Sequence, residues 1–417
     1  MGNGLRLVTE RQPSGGPAAV ALLVAVGSRH ELLPEDWGAA HFLEHALFKG
    51  AGEYDGPALA AAIDDLGGEV NAYTTRDYTC FYAKVLPEYL DAAFDLLYTL
   101  VTAPRLEDSD IAKEREVIAE ELLEAEDDLE DRCDNAFLEA LYPVPTFTHE
   151  ILGTMESVRG WTRPRLVAFH RRWYRPERTV VAIAGEGAFA QVERLVRRFG
   201  LGDRAWPLCP PPLPVAPRER LVRLDRDQVH WMVGVSTGPT RDWKRALAFE
   251  VAAALIAGQN SSRLWQRLRE EHGLAYTVQS GASLHADRGE MSLYAVVSPS
   301  KLEDALRLTA QELLALARGE VQAEAVQRAK VQLEAAVRFQ WETSDGRMLH
   351  LGRYVLEGQR PPTLEELVHR IRTLSREEVA TCLAEAWGDP QRWALAAVGP
   401  LPRRWSSVKA RVLAGLV

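Results

Sequence analysis

The sequence predicts an α+β fold built twice, as two homologous domains that each carry a mixed or antiparallel β-sheet with helices packed on it. Strand-like and helix-like segments are mixed along the 417 residues instead of alternating strictly. A Pro-rich run at 206–217 is expected to be extended and semi-rigid, and it divides the chain near its middle. The two halves also align with each other, which indicates an internal repeat.

The repeat depends on two places in the chain that share one offset. Residues 110–123 align with 324–337, 214 positions further on, and the same shift places Ala184-Gly185 on Val398-Gly399. In both halves the glycine closes a strand-like run. The expected organisation is a domain at 1–206, a linker at 207–218 and a second domain at 219–417.

Residue patterns predict the individual elements, with strands identified by β-branched and apolar runs and helices by apolar spacing of three and four residues. The predicted strands are residues 5–9, 18–26, 73–85, 179–184, 229–235, 290–297 and 393–398. The predicted helices are residues 39–48, 88–101, 106–132 and 302–317. Gly38 and Gly50 bracket the first helix, and Pro34, Glu35 and Asp36 are suitable first-turn residues ahead of it.

Length and composition are those of a large globular protein. Apolar residues make up 47% and charged residues 26% of the chain, and the net charge of −10 argues against nucleic acid as a partner. Four cysteines are scattered without a Cys-x-x-Cys pair, which predicts reduced thiols and a cytoplasmic location. The first residues lack an apolar signal region and no stretch is long enough to span a membrane, so we expect no membrane association.

The most informative motif is the pentapeptide His41-Phe42-Leu43-Glu44-His45. At about 100° per residue on a helix, the two imidazoles and the glutamate share one face. Two imidazoles four positions apart can bind one metal ion with a carboxylate beside them, as in hydrolytic zinc sites. The glutamate precedes the second histidine, which reverses the more common His-Glu-x-x-His order.

A tetrahedral catalytic zinc needs a third protein ligand, which must come from elsewhere in the chain. The helix predicted at 106–132 carries an apolar stripe, and Glu114 and Glu121 border that stripe. Carboxylates next to a core-facing stripe are costly unless they are paired or bind a metal. The alternative is a solvated acidic helix with no metal. Isolated histidines such as His149 are interpreted as ordinary surface or core residues.

These residues resemble the signature of the pitrilysin-like, inverted-motif zinc peptidases, the family that includes mitochondrial processing peptidase. The flanking segments 39–50, 67–75 and 114–121 are similar to that family's blocks and follow the same order. The resemblance implies two lobes of one fold arranged like a clam, and one zinc ion per chain. It implies zinc binding by His41, His45 and Glu121, a general base at Glu44, and an acid that orients a ligand histidine at Glu114.

The resemblance also assigns residues outside the metal motif. Asn71 and Ala72 match the edge strand on which relatives hold the substrate backbone, although Asn71 could simply cap the turn after Gly67-Gly68. Arg269 and Tyr276 match a block that completes the family's active site, by gripping the substrate and by donating to the oxyanion. Without the family match, a solvated arginine and a packing tyrosine are the simpler interpretation.

The predicted function is zinc-dependent hydrolysis of short or unfolded peptides. At the repeat offset Glu114 falls on Arg328 and Glu121 on Ala335, so the second half is expected to lack a metal site. In relatives of this length the two lobes around a substrate belong to partnered subunits, which implies a homodimer with an active site shared between subunits. The alternative is a catalytically silent or partner-dependent assembly subunit of a processing-peptidase-like complex.

Overall fold

The computed structural model describes residues 4–12, 16–187 and 210–414, together with Phe189, Val192 and 196–199. The described residues form two compact α+β units, so the predicted fold class is confirmed. Unit 1 takes its described residues from Met1–Glu124, His149–Cys209 and Phe339–Pro361. Unit 2 takes them from Ala125–Thr148, Pro210–Arg338 and Pro362–Val417.

Unit 1 contains a sheet in the order β1-β7-β2-β6-β5, in which β1 and β7 are parallel and the other pairs are antiparallel. β2 and β7 are buried along their whole length, as expected for central strands. A short hairpin of β3 and β4 is separate from this sheet. The strands are β1 Arg6–Arg11, β2 Ala18–Val24, β3 Gly50–Ala51, β4 Tyr54–Asp55, β5 Glu69–Thr74, β6 Thr79–Val85 and β7 Thr179–Gly185.

Unit 2 repeats this topology strand for strand, in the order β8-β12-β9-β11-β10. Its only parallel pair within the described residues is β8 with β12, which is the counterpart of β1 with β7. The same order and the same mixture of directions bear out the internal repeat. The strands are β8 Glu219–Arg223, β9 Val229–Ser236, β10 Ala275–Leu284, β11 Gly289–Val297 and β12 Ala394–Gly399.

Helices cover the sheets. In the first half of the sequence they are α1 Ala39–Leu47, α2 Gly56–Asp64, α3 Leu90–Thr102, α4 Asp108–Asp127, α5 Leu129–Leu141, α6 Pro145–Thr148, α7 Met155–Gly160 and α8 Arg163–Trp173. In the second half they are α9 Trp243–Ala257, α10 Leu302–Ala317, α11 Ala323–Glu342, α12 Ser344–Leu356, α13 Leu364–Thr373, α14 Arg376–Trp387 and α15 Trp405–Ala414, with a π-helical segment at Trp265–Glu271. No helix among the described residues is long and apolar enough to cross a bilayer.

Each sheet is covered on one face by a helix from the other half of the sequence. α12 packs on β1, β2 and β7 in unit 1, and α5 packs on β8, β9 and β12 in unit 2. The contacts are close enough to require glycine, since a Cβ on Gly352 would lie 2.6 Å from Leu23, and one on Gly234 would lie 2.4 Å from Phe137. The units are therefore not two continuous stretches of chain. The bounds 1–206, 207–218 and 219–417 stay a prediction, and part of the linker lies outside the described residues.

Two predicted elements differ from the structure. The strand expected at 73–85 is the end of β5 and all of β6, joined by a turn in which Thr75 accepts and donates hydrogen bonds with Tyr78. The single helix expected at 106–132 is α4 and α5, because the Asp128 side chain accepts from the N–H groups of Glu130 and Asp131 and so begins a new helix. Local hydrogen bonds thus divide segments that contain neither Pro nor Gly.

Candidate metal centre

The first turn of α1 is held by a buried carboxylate from outside the helix. Pro34–Asp36 forms a separate 3-10 turn, and Gly38, at φ +82°, reverses the chain before the helix begins. Glu31 is fully buried and accepts from the N–H groups of Gly38 at 2.7 Å and Ala40 at 2.8 Å. These N–H groups have no partner within a helix, so the carboxylate satisfies them and fixes the direction of α1.

A buried histidine supports this carboxylate. His149 Nε2 lies 2.9 Å from Glu31 Oε2, and its ring stacks on Trp37 with centroids 4.7 Å apart. Burial raises the pKa of Glu31, although His149 and the two backbone N–H donors oppose that rise. The sequence analysis interprets His149 as an ordinary residue, because it lies at no ligand spacing to another histidine. The fold brings it into contact with Glu31, which binds the first turn of α1.

The helical face predicted for α1 and the carboxylate of α4 meet at one point. Glu121 Oε2 lies 3.7 Å from His41 Nε2 and 3.6 Å from His45 Nε2. One ligand atom from each of the three residues lies within 4.8 Å of the others. Donors about 2.1 Å from a tetrahedral zinc are separated by about 3.4 Å, so this donor set fits zinc after only small side-chain shifts.

A second carboxylate of α4 orients one of the two imidazoles. Glu114 is buried, and its Oε2 lies 3.2 Å from His45 Nδ1 while its Oε1 binds Lys49 Nζ at 2.8 Å. Hydrogen bonds from His45 and Lys49 outweigh burial and hold the pKa of Glu114 below its ordinary value. A charged Glu114 that receives Nδ1–H leaves Nε2 of His45 directed at the ligand cluster. No such partner for Nδ1 of His41 exists among the described residues.

Protonation also suits metal binding. Burial, with a smaller contribution from His45, lowers the pKa of His41 to about 3, so this imidazole is neutral at physiological pH. Burial also lowers the pKa of His45, but Glu114, Glu121 and Glu44 together raise it above its ordinary value. A cation bound at Nε2 would replace that proton, since metal ligation and protonation compete for one lone pair.

Glu44 lies on the same face of α1 and is held from the sheet. Its Oε2 accepts from Thr74 Oγ1 at 2.5 Å, and Thr74 is the last residue of β5. Burial, opposed by the Thr74 hydrogen bond, raises the pKa of Glu44. A carboxylate with a raised pKa is suited to accept and return a proton near neutrality. Sequence reasoning found Glu44 and Glu114 but missed their partners. Thr74 binds Glu44 and Lys49 binds Glu114, and nothing in the motif predicts which side chains pair with these carboxylates.

β5 is an edge strand of the unit 1 sheet, and it carries Asn71 and Ala72. It pairs with β6 on one side, and its other edge has no strand partner in the part of the chain that the structure describes. The Asn71 side chain accepts from the N–H of Ala72 at 2.8 Å, so it does not cap the turn after Gly67-Gly68. The strand with this unpaired edge therefore ends at Thr74, the residue that binds Glu44.

Arg269 and Tyr276 lie in unit 2. Arg269 is on the π-helical segment, with its guanidinium 4.5 Å from the ring centroid of Trp265. Tyr276 is at the start of β10, which occupies the sheet position that β5 occupies in unit 1, and its side chain is 59% exposed. Both residues are therefore accessible for contact with a substrate. Their participation in one site with the metal cluster stays a prediction.

Comparison with known proteins places the chain in a family. Residues 6–155 match the family described as insulinase (Peptidase family M16), and residues 160–333 match the Peptidase M16 inactive domain. An uncharacterized zinc protease of Mycobacterium tuberculosis is 37% identical over 95% of this chain and 91% of that protein. The uncharacterized zinc protease YmxG of Bacillus subtilis is 30% identical over 95% of this chain and 97% of that protein.

Solved structures share the fold. A protease from Helicobacter pylori has a TM-score of 0.85 at 21% identity, over 95% of this chain and 97% of that chain. A peptidase M16 inactive domain from Pseudomonas fluorescens has a TM-score of 0.85 at 17% identity, over 96% of each chain. The resemblance to inverted-motif zinc peptidases is confirmed: this chain belongs to peptidase family M16, the insulinase family, and is a homologue of zinc proteases.

Proposed function

We propose that this chain is a zinc-dependent peptidase that hydrolyses short or unfolded peptides, with His41, His45 and Glu121 as the ligands of one zinc ion. The observation that carries the proposal is the convergence of these three donors, with Glu44 on the same helical face. Three protein ligands leave the fourth tetrahedral position for solvent and substrate, as in catalytic zinc sites.

The chain's own residues supply the proton transfers. When bound, zinc supplies Lewis acidity, which makes water acidic near neutral pH and polarises a peptide carbonyl. Thr74 occupies one oxygen of Glu44, so the other oxygen is available to take the proton from the attacking water. Glu44 then passes this proton to the leaving amine as the C–N bond breaks. Glu114 keeps His45 oriented throughout.

The substrate backbone is proposed to bind along β5 at Asn71 and Ala72. An extended peptide can add to a free sheet edge by main-chain hydrogen bonds, which give affinity with little demand on side-chain identity. Since β5 ends at Thr74, a peptide paired there runs towards Glu44. Accessibility of this edge favours unfolded chains, because a folded protein offers few extended segments with unpaired backbone groups.

Arg269 and Tyr276 are proposed to grip the substrate and to stabilise the oxyanion, with a homodimer sharing each active site between subunits. Mixing a Glu44→Gln chain with a Tyr276→Phe chain tests this arrangement. If lobes are shared, dissociating and reassociating an equal mixture of the two inactive proteins restores about a quarter of the sites, because about half of the dimers are mixed and each mixed dimer contains one intact site. A mixture as inactive as its components contradicts the shared site.

The direct test of the function is Glu44→Gln. The amide keeps the shape of the side chain but cannot accept a proton, so hydrolysis of an unstructured peptide is expected to fall about 10²- to 10⁴-fold. Zinc content, measured by elemental analysis, should remain near one per chain. The matched control is Glu53→Gln, an exposed glutamate of unit 1 that should change neither quantity. Hydrolysis at an undiminished rate in Glu44→Gln would show that this carboxylate is not the base.

A catalytically silent or partner-dependent assembly subunit is the alternative function. The complete set of His41, Glu44, His45 and Glu121 favours an active enzyme, since a scaffold has no need to retain all four. Digestion of an unfolded peptide by the purified chain, followed by mass spectrometry, separates the two. Cleavage by the chain alone supports the peptidase, and cleavage only after a second family member is added supports the partner-dependent subunit.

A cytoplasmic location is proposed on the chemistry of the thiols. Cys80, Cys133 and Cys382 are free and buried, and burial raises the pKa of each thiol. Cys209 lies outside the described residues. Free thiols are typical of reducing compartments. Fractionation of the source cells, with detection of the protein by antibody, tests the location.

A further inference from the structure

The π-helical segment Trp265–Glu271 of unit 2 packs on β10 and α10. π-helical turns are rare and are frequent at functional sites. This one carries Arg269, which the proposed function assigns to the substrate. The contacts that hold the segment in place therefore also set the position of Arg269.

A single carboxylate of α10 binds the start of this segment. Glu312 Oε2 accepts from Nε of Arg263 at 2.5 Å, and its Oε1 accepts from Nε of Arg267 at 2.9 Å. Arg263 lies two residues before the π-helical segment, and Arg267 lies within it. The carboxylate therefore bridges the point at which the chain changes from α-helical to π-helical hydrogen bonding.

Both arginines are committed to further acceptors of unit 2. Arg263 donates to the backbone carbonyl of Glu320 at 2.8 Å and to its carboxylate at 3.1 Å. Arg267 also donates to the carboxylate of Glu271. These two guanidinium groups thus hold the segment, whereas Arg269 is exposed to solvent.

Glu312 differs in chemistry from the residues around it on α10. It is only 8% exposed, and the other buried residues of this helix are leucine, alanine and threonine. A buried carboxylate costs free energy unless it is paired, and an apolar residue would satisfy the packing of the helix at lower cost. The hydrogen bonds to Arg263 and Arg267 are therefore what the carboxylate contributes.

The other end of the segment is bound to the same helix. Lys301, the residue before α10, donates to the carbonyl of Gly273 at 2.6 Å. Gly273 has a φ of +56°, and next to it the N–H of Leu274 donates to the carbonyl of Leu268 at 2.6 Å. Arg269 thus lies between two attachments to α10.

The side chain of Arg269 is oriented by an aromatic ring. Its guanidinium lies 4.5 Å from the ring centroid of Trp265, and the side chain is 44% exposed. Stacking uses the planar face of the guanidinium and leaves the N–H groups at its edge for an acceptor such as a carbonyl or carboxylate. Since Trp265 is four residues earlier, a change in helical register would displace the ring and the guanidinium relative to each other.

We propose that Glu312 is a positioning residue of the peptidase. By bridging Arg263 and Arg267 it fixes the π-helical register, and this register presents Arg269 to the substrate. The inference rests on the proposed function, in which Arg269 grips the substrate. It extends that function to a buried carboxylate that does not itself touch the substrate.

Glu312→Gln is the first test. The amide keeps the size of the side chain but presents an NH₂ group to one of the two arginine N–H donors. KM for an unstructured peptide should rise about 10-fold while kcat changes less than about 2-fold, because a displaced Arg269 binds substrate and transition state equally less well. The matched control is Asp304→Asn, which removes the same charge from an exposed ion pair with Arg307 on the same helix and should leave KM unchanged.

A double variant separates a positioning role from a general loss of stability. Arg269→Ala should raise KM about 30-fold, as expected when a charged hydrogen bond is lost. Adding Glu312→Gln to it should raise KM no further, because the residue through which Glu312 acts is then absent. Arg267→Met tests the pair from its more exposed side and should raise KM by less than Glu312→Gln, since Arg263 still binds the carboxylate.

The indole of Trp265 reports on the register without any need for activity. The full chain is labelled with ¹⁵N-tryptophan, and the signal is assigned with Trp265→Phe. Glu312→Gln and Arg267→Met should both shift this signal, and Asp304→Asn should not. The signal of Trp161, whose N–H donates to the Trp37 carbonyl in unit 1, should stay in place in all three variants.

Two results would overturn the positioning role. One is an unshifted Trp265 signal, for which Arg267→Met decides if Glu312→Gln fails to fold. The other is a KM in the double variant that rises by the product of the two single effects. An active chain in which Arg269→Ala leaves KM unchanged would instead contradict the substrate role of Arg269, and the Trp265 signal would still decide whether Glu312 fixes the segment.

Discussion

Helices α4 and α11 are the same element in the two halves of the repeat, and only the first carries the proposed metal chemistry. Both have 20 residues, and their ends correspond at a shift of 215 positions, one more than the sequence alignment predicts. At this shift buried Ile111 matches buried Val326, and Glu114 matches buried Ala329. Glu121 matches Ala336, so α11 has no carboxylate at either site at a shift of 214 or 215.

The repeated fold therefore does not require the residues of the metal site. An apolar stripe suffices to pack either helix, whereas a buried Glu114 is tolerable only because His45 and Lys49 pair with it. Once those partners are absent, alanine costs nothing at the same position. The second half thus keeps the sheet order and helix lengths while its side chains at these positions are free of the demands of a metal ion.

Glu121→Ala gives α4 the residue that α11 carries at the matching position, Ala336. The affinity for zinc is expected to fall more than about 100-fold, because one of the three donors is removed. This exceeds the effect of losing a residue that only hydrogen-bonds to a ligand. Titration against a chelator measures the affinity. Glu120→Ala, one residue earlier and exposed, is the control, and equal zinc affinity in both variants would contradict the ligand assignment.

Helices α5 and α12, each of which covers the sheet formed by the other half of the sequence, allow a matched test of packing in the two units. Gly352→Ala and Gly234→Ala each place a methyl group less than 3 Å from a neighbouring side chain, and each should lower the free energy of unfolding by about 1–3 kcal/mol. Gly281→Ala is the control, since its Cβ would meet nothing within 4 Å. Denaturant unfolding gives the values, and a loss no larger than that of the control would show that neither helix packs closely.

Glu31→Gln tests whether the metal site depends on the buried carboxylate that holds the first turn of α1. Losing the charge weakens the hydrogen bonds to the N–H groups of Gly38 and Ala40, so α1 should be held less firmly. Zinc should be released to a chelator about 10-fold faster, and kcat should fall while KM changes little. Glu35→Gln, on the exposed 3-10 turn, should release zinc at the original rate. Identical release in both variants would exclude a positioning role.

The smallest effect is expected for the reverse exchange, Ala336→Glu. This position is exposed, so a carboxylate there should change the free energy of unfolding by less than about 0.5 kcal/mol. It should add no zinc, because the second half of the sequence contains no histidine pair at ligand spacing. Elemental analysis that found a second zinc per chain would show that the fold alone can create the site.

The elements that local sequence specifies best are the ones predicted best. The helix at 302–317 has the bounds of α10, and the strands at 229–235 and 290–297 agree with β9 and β11 to within one residue at each end. Prediction is poorest where hydrogen bonds of single side chains intervene, as at Asp128 between α4 and α5. The repeat offset is likewise wrong by one residue along α4, since a short insertion leaves little trace in apolar periodicity.

Local sequence is sufficient to place His41, Glu44 and His45 on one face, because the 3.6-residue period of a helix is a local property. The packing of distant elements places Glu121 Oε2 3.7 Å from His41 Nε2, and it brings Glu31 and His149 to the first turn of α1. The same packing makes α5 and α12 cover sheets formed by the opposite halves of the sequence. These contacts join residues far apart in the chain, and their geometry follows from how whole elements pack, which no local pattern encodes.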